Sequence, residues 1–236
     1  MNYLGCSGWY YNHWIGKFYP EDLYKIKWLE FYGQRFNTVE VNSTFYNLPK
    51  ETVVKSWYKR APDGFKFTLK ANRLITHEKK FKGTQELLDG FYSLASLLDE
   101  KLGCILFQIH PTLDRNMELL DGIVNQLDEN FRNVLEFRHP SWYCQEVYDF
   151  LKKNKIIYCI VSAPNLPSDL RLTSDVAYVR FHGRESWYNY DYSQEELKKW
   201  AGGTRELRAQ DLYIYFNNDF NACAVKNCEN LGSLLK

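Results

Sequence analysis

The chain has 236 residues, 45% of them hydrophobic, and a formal net charge of +1. That length allows one large domain or two small ones, and α/β barrels of this size commonly form one. The near-neutral balance excludes a global basic field for nucleic acid and a global acidic one for cationic partners, so charge-based recognition must be local.

The opening Met1-Asn-Tyr-Leu-Gly-Cys-Ser7 has no basic segment leading into an apolar one, so no secretory signal is expected. No apolar run approaches membrane-spanning length. Short apolar, β-branched runs predict strands at residues 3–9, 37–46, 65–72, 103–110, 133–139, 156–162, 176–183 and 212–218. Amphipathic stretches predict helices at residues 21–36, 51–60, 84–101, 114–130, 145–154, 193–207 and 222–235. The sixth connection, residues 163–174, lacks a clear helix, because Pro164 and Pro167 oppose one.

Strand followed by helix, repeated along residues 1–236, predicts a single (β/α)8 TIM-type barrel. The runner-up, an open doubly wound sheet, favours a glycine-rich phosphate turn after an early strand. Gly5-Cys-Ser-Gly8 is neither that turn nor a nucleophile elbow. The six cysteines are scattered without a Cys-x-x-Cys pair, and most read as small buried hydrophobes in a reducing, cytoplasmic setting. Cys223 and Cys228 stand close together but have no matching second pair for a metal. The sequon Asn42-Ser-Thr44 is discounted without a secretory signal.

Side chains alternate faces along a strand. Val39 and Val41 share one face while Glu40 and Asn42 share the other. The same split sets Phe67 and Leu69 against Thr68 and Lys70, and Phe107 and Ile109 against Gln108 and His110. It sets Leu135 and Phe137 against Glu136 and Arg138, Val179 and Phe181 against Arg180 and His182, and Ile214 and Phe216 against Tyr215 and Asn217. The apolar parity is expected to face the helices, and the polar parity the barrel interior at the C-terminal strand ends. Barrel enzymes build their sites there.

Within that cluster Glu136 is expected as general acid or base, Glu40 as the second carboxylate and His182 as a proton carrier. Arg138 and Arg180 are expected to bind an anionic group, because a guanidinium grips phosphate or carboxylate bidentately. Lys70, Asn42, Gln108, His139, Asn217 and Asp219 complete the polar lining. The aromatic content, 17%, supplies a rim on which Trp9, Tyr11 and Trp142 can stack against sugars or bases. The substrate expected is small and anionic: a phosphate, phosphosugar or nucleotide. No cofactor is expected. A divalent metal is a lesser alternative, with Glu40, Glu136, His139, His182 and Asp219 as its candidate ligands. Two other readings stay open. The charges can form a purely structural ion-pair network, or the chain can bind a nucleotide or single-stranded nucleic acid without catalysis.

Several blocks occur in a recognisable order: Gly5-Cys-Ser-Gly-Trp-Tyr-Tyr-Asn-His-Trp-Ile-Gly-Lys-Phe-Tyr-Pro20, Phe36-Asn-Thr-Val-Glu-Val-Asn-Ser-Thr-Phe-Tyr46, Thr76-His77 after Lys70-Ala71, Glu136-Phe-Arg-His-Pro-Ser-Trp142, Tyr178-Val-Arg-Phe-His-Gly-Arg184 and Tyr215-Phe-Asn-Asn-Asp219. Together they resemble domain-of-unknown-function family 72, the YecE-like proteins. The resemblance spans nearly the whole chain. It implies a TIM-type barrel with some similarity to the xylose isomerase and endonuclease IV class, and it implies no agreed activity. A nucleic-acid-binding role is suggested for such proteins by analogy alone. Gln108-Ile-His-Pro111 departs from the Pro-Pro pair expected there, which makes His110 either an extra group near the mouth or a loop variant.

Overall fold

The strands predicted from alternation form, each shorter than its apolar run. They are β1 (Asn2–Cys6), β2 (Thr38–Val41), β3 (Lys66–Lys70), β4 (Leu102–Gln108), β5 (Asn133–Glu136), β6 (Ile157–Ser162), β7 (Val176–Phe181) and β8 (Asp211–Phe216). In the computed structural model, which describes residues 1–236, they make one parallel sheet in the order β1-β8-β7-β6-β5-β4-β3-β2. Helices surround it: α1 (Trp28–Gly33), α2 (Ser43–Tyr46), α3 (Glu51–Arg60), α4 (Gln85–Ser96), α5 (Met117–Val124), α6 (Gln145–Lys153), α7 (Gln194–Glu206) and α8 (Cys223–Leu235). The fold is a nearly closed TIM-type barrel, and no helix is long and apolar enough to cross a membrane.

Local chemistry sets the element ends. Ser193 and Glu196 form a reciprocal capping box that starts α7 where the sequence places it. The helix expected at residues 114–130 shrinks to α5. Asn116 caps its first turn, accepting from Leu119 N at 2.9 Å, and Asp128 folds the far end into a turn by accepting from Asn130 N. The helix expected at residues 21–36 survives only as a 3-10 turn, Lys25–Lys27, running into α1, and Tyr24 and Ile26 stay exposed. The sixth connection has no helix, as its prolines require. Its Thr173 hydroxyl pins the start of β6 instead, accepting from Tyr158 N and donating to Ile156 O.

The alternation sorts side chains as expected. Val39, Val41, Phe67, Leu69, Phe107, Leu135, Val179, Phe181, Ile214 and Phe216 join the large core beneath the helices. The opposite parity fills the barrel in layers. A floor of Tyr3, Tyr213, Cys104, Val134, Ile157 and Val176 carries Leu106, Cys159, Tyr178 and Tyr215 above it. Glu40, Glu136 and Arg180 come next, all fully buried. The Tyr215 hydroxyl lies 2.7 Å from Thr38 Oγ1 and 2.8 Å from Thr68 Oγ1, so even the middle layer satisfies its polar atoms.

No backbone ladder joins β1 to β2, and side chains bridge that seam. The Asn37 amide stands in for a strand neighbour: its Oδ1 accepts from Leu4 N at 2.9 Å and its Nδ2 donates to Asn2 O at 2.8 Å. Higher up, the Tyr32 hydroxyl accepts from Cys6 N at 2.7 Å and donates to Thr38 O at 3.0 Å. Gly5 lies between these bridges, where any Cβ would overlap the Thr38 carbonyl. Two substitutions test the seam. Tyr32→Phe strands a buried N–H and a buried carbonyl, and is expected to lose about 2–3 kcal/mol in urea unfolding. Gly5→Ala is expected to lose at least as much. Wild-type midpoints in both variants would show that the seam is not closed this way.

Candidate functional site at the barrel mouth

Six strands deliver polar side chains to the C-terminal end of the barrel, and one guanidinium organises them. Arg180, on β7, donates from Nη2 to Glu40 Oε1 at 2.6 Å and from Nη1 to Glu136 Oε2 at 2.7 Å. All three side chains have 0% exposure. Glu40 also accepts from Ser7 Oγ at 2.7 Å and from the Tyr178 hydroxyl at 2.5 Å. Glu136 Oε1 accepts from Arg138 Nε at 3.0 Å and from His182 Nε2 at 2.8 Å. Each carboxylate oxygen therefore has a donor within the protein.

These contacts fix the protonation states. Burial alone would raise the Glu136 pKa, but Arg138, Arg180 and His182 outweigh it and hold the carboxyl well below its ordinary range. Burial, reinforced by Arg138 and Arg180, holds His182 well below the usual imidazole value. The ring is then neutral. Its Nε2–H donates to Glu136, and its Nδ1 accepts from Asn217 Nδ2 at 3.2 Å. Arg138 Nη2 lies 3.2 Å from the same Nε2, where two donors face each other, so that approach is electrostatic repulsion and not a hydrogen bond.

Lys70 differs from its neighbours. It ends β3, is 9% exposed, and its Nζ lies 4.1 Å from the centroid of the Phe45 ring. That nitrogen has no hydrogen-bond acceptor and no ion-pair partner. Burial first, then the Arg180 charge, lowers its pKa to about 7, against the opposing pull of Glu136. The Gln108 amide, 7% exposed on β4, also makes no hydrogen bond within the protein. The Arg138 guanidinium stacks over Trp187 at 4.7 Å.

The remaining predicted residues divide. Asn42 lies just past β2 in helical conformation, heading α2; its Nδ2 reaches Ser7 O at 3.4 Å, and its Oδ1 is buried without a partner. Tyr11 stands behind the site, its hydroxyl donating to Ser7 O at 2.6 Å. Trp9 packs edge-on against Trp57 in a groove beside the mouth, which Tyr46 also lines. Three residues do not join the cluster. Trp142 is fully buried, stacked on Phe137 at 4.8 Å with its indole N–H donated to Leu113 O, so it presents no face to a ligand. His139 caps a 3-10 turn through Ser141. Asp219 clasps the first loop, accepting from Trp14 Nε1 at 2.7 Å and pairing with His13 at 2.9 Å. Burial raises its pKa.

This division separates the five candidate metal ligands: Glu136 touches His182 directly but reaches Glu40 only through Arg180, while His139 and Asp219 lie apart. No group of three or more His, Cys, Asp or Glu side chains has the spacing to hold a metal ion.

Sequence reasoning missed Ser7 and Tyr178 as holders of Glu40. Tyr178 shares the interior parity of Arg180, which was signal enough; Ser7 lies beyond the end of its strand. His77, on a π-helical turn Leu74–Glu78, packs 4.9 Å from Phe45 and 5.0 Å from His110. His110 therefore builds the rim beside Lys70's aromatic support. Burial, then Lys70 and His110, lowers the His77 pKa to about 4.

The same architecture is found in related chains. The family described as "Protein of unknown function DUF72" matches residues 3–236. The UPF0759 protein YunF of Bacillus subtilis is 30% identical, with 100% of this chain aligned to 95% of YunF. The UPF0759 protein YecE of Escherichia coli K12 is also 30% identical, over 61% of this chain and 51% of YecE. A DUF72 family protein of Thermotoga maritima shares the fold with a TM-score of 0.91 and 31% identity, covering 100% of this chain and 99% of that one. A DUF72 family protein of Enterococcus faecalis reaches 0.88 at 22% identity, over 100% of this chain and 95% of that one, a likeness of fold alone. With a match running from residue 3 to residue 236, the chain belongs to the DUF72 family.

Proposed function

We propose that this chain is a barrel enzyme acting on a small anionic substrate, phosphorylated or sugar-containing, at the C-terminal mouth. One observation carries the reading: Lys70 Nζ faces the mouth with no internal partner, while both nearby carboxylates are committed to Arg180, Arg138 and His182. Glu40 and Glu136 balance the two arginines. Lys70, when protonated, is the charge left over, and an anion bound beside it offsets that charge. Arg138 uses only Nε on Glu136, so its outer nitrogens can take a phosphate or carboxylate while Trp187 holds the guanidinium plane. Gln108 supplies an amide beside it.

In this reading Glu40, Glu136 and His182 are positioning residues. Glu136, held well below its ordinary pKa and saturated with donors, is a weak base at neutral pH. Lys70, with a pKa of about 7, is the group able to exchange a proton there. Phe45 and Trp187 wall the space, one ring beneath Lys70 and the other beneath Arg138.

Thermal shift tests the reading. Inorganic phosphate or glucose 6-phosphate is expected to raise the melting temperature of the wild type, and the rise should vanish in Arg138→Ala. No rise with any anion, or an undiminished one in the variant, would sink it. A rise confined to oligothymidylate, collapsing between low and high salt, would instead favour nucleic-acid binding.

The positioning role has its own consequence. Glu136→Gln removes the partner of a buried guanidinium and is expected to lose about 3–5 kcal/mol in chemical denaturation. The triple variant Glu40→Gln/Glu136→Gln/Arg180→Met, which removes all three buried charges together, should recover part of that loss. A Glu136→Gln protein as stable as wild type would return the carboxylate to a reactive role.

A further inference from the structure

We propose that Lys70 is a nucleophilic amine that forms an imine with the carbonyl group of the anionic substrate, a step that rests on the anion-binding reading of the mouth. The internal comparison is Lys101. It is equally sequestered, at 6% exposure, but its Nζ donates to Tyr58 O at 2.8 Å and Ala61 O at 2.7 Å, as a structural lysine should. Lys70, a residue 9% exposed, gives its Nζ neither carbonyl nor carboxylate; the Phe45 ring lies beneath that nitrogen. A lysine at a strand end that no carboxylate or carbonyl of the fold holds is not there to pair within the barrel, and the C-terminal strand ends are where barrels place reacting groups.

The surroundings suit that use. Arg180 from β7 and Arg138 from the end of β5 oppose a charge on Lys70. Glu136 on β5 and Glu40 on β2 favour one, but both are bound to those arginines. His77, on the turn after β3, is neutral and leaves the amine free. With the pKa at about 7, half of the amine is unprotonated at neutral pH, against roughly one part in 10³ for an exposed lysine. A desolvated lysine beside another cation is a known route to an activated amine.

The step balances without a further reagent. The unprotonated Nζ attacks the carbonyl carbon, and the carbon–oxygen π pair moves to oxygen, which takes a proton. Nitrogen loses a proton to give the neutral carbinolamine. The carbon–oxygen bond then breaks, the oxygen leaves as water after taking a second proton, and the nitrogen lone pair forms the iminium double bond. Net, one carbonyl and one ammonium give one iminium and one water. Arg138 anchors the substrate's anionic end meanwhile.

Reductive trapping tests the inference. The wild type is incubated with sodium cyanoborohydride and, separately, pyruvate, dihydroxyacetone phosphate and uncharged dihydroxyacetone, and the modified lysine is located by peptide mass mapping. Single labelling at Lys70 is expected, at an initial rate on the order of 10² above that of exposed lysines at pH 7. The rate should climb with pH through a midpoint near 7. Lys70→Arg, which keeps the charge, should abolish the label. Preferential labelling by the anionic probes supports both the imine and the anion site. Equal labelling of Lys70 by dihydroxyacetone supports the imine and fails the anion site. Absence of the Lys70 adduct, or labelling spread evenly over many lysines, overturns the imine, even where phosphate still raises the melting temperature. The wild-type measurement stands alone should Lys70→Arg fail to fold.

Discussion

Arg180 holds two carboxylates from different sides of the barrel on one guanidinium, and the mouth takes its form from that clamp. A charge with no exposure is tolerated only where partners replace water. Glu40 on β2 and Glu136 on β5 do so, each through its own nitrogen at 2.6 and 2.7 Å. A lysine could not span them, because a single ammonium lacks the planar fork. Arg180 Nε has no acceptor, so the clamp already carries one unpaired donor. That makes the remaining pairings harder to give up.

The clamp also depends on a seam far from it in the contact order. β1 and β2 share no ladder, so Tyr32 and Asn37 set their separation. That separation brings Ser7, just past β1, within 2.7 Å of Glu40. The first loop is tied again beyond Ser7: Tyr11 holds the Ser7 carbonyl, and Asp219 beyond β8 holds Trp14 and His13. A change at Gly5 or Tyr32 therefore reaches the site through Glu40, although both act at the β1–β2 seam.

Much of this was legible in the sequence. The period-2 alternation places Glu40, Lys70, Gln108, Glu136, Arg180 and His182 on one parity, and that parity does face the interior. The resemblance to family 72 and the strand–helix alternation agree on the barrel. Depth was not legible. Trp142 follows Pro140 in a loop, and nothing local says that Phe137 lies where its ring can stack inward. Asp219 and His139 sit near strand ends, but their partners, Trp14 and Ser141, are set by loop geometry. The predicted strands run longer than the observed ones because apolar residues such as Ile109 and Phe137 continue the core beyond the strand ends. The proton-carrier role expected of His182 rests on the imidazole's behaviour in water, whereas this ring is buried near the Arg138 and Arg180 charges.

The electrostatics of the frame explain why a lysine, and not a carboxylate, is the reactive candidate. Two arginines and two glutamates cancel, and a cancelled, donor-saturated set changes little when substrate arrives. Such a set works as a preorganised environment: its dipoles are fixed before the reaction and need no rearrangement during it. A group added to this neutral frame feels burial most and the frame's net field least, so an amine there gives up its proton readily. An added carboxyl would face the same burial and stay protonated, a poor nucleophile and a poor base. The aromatic faces of Phe45 and Trp187 then set the two sides of the opening, one beneath the Lys70 amine and one beneath the Arg138 guanidinium.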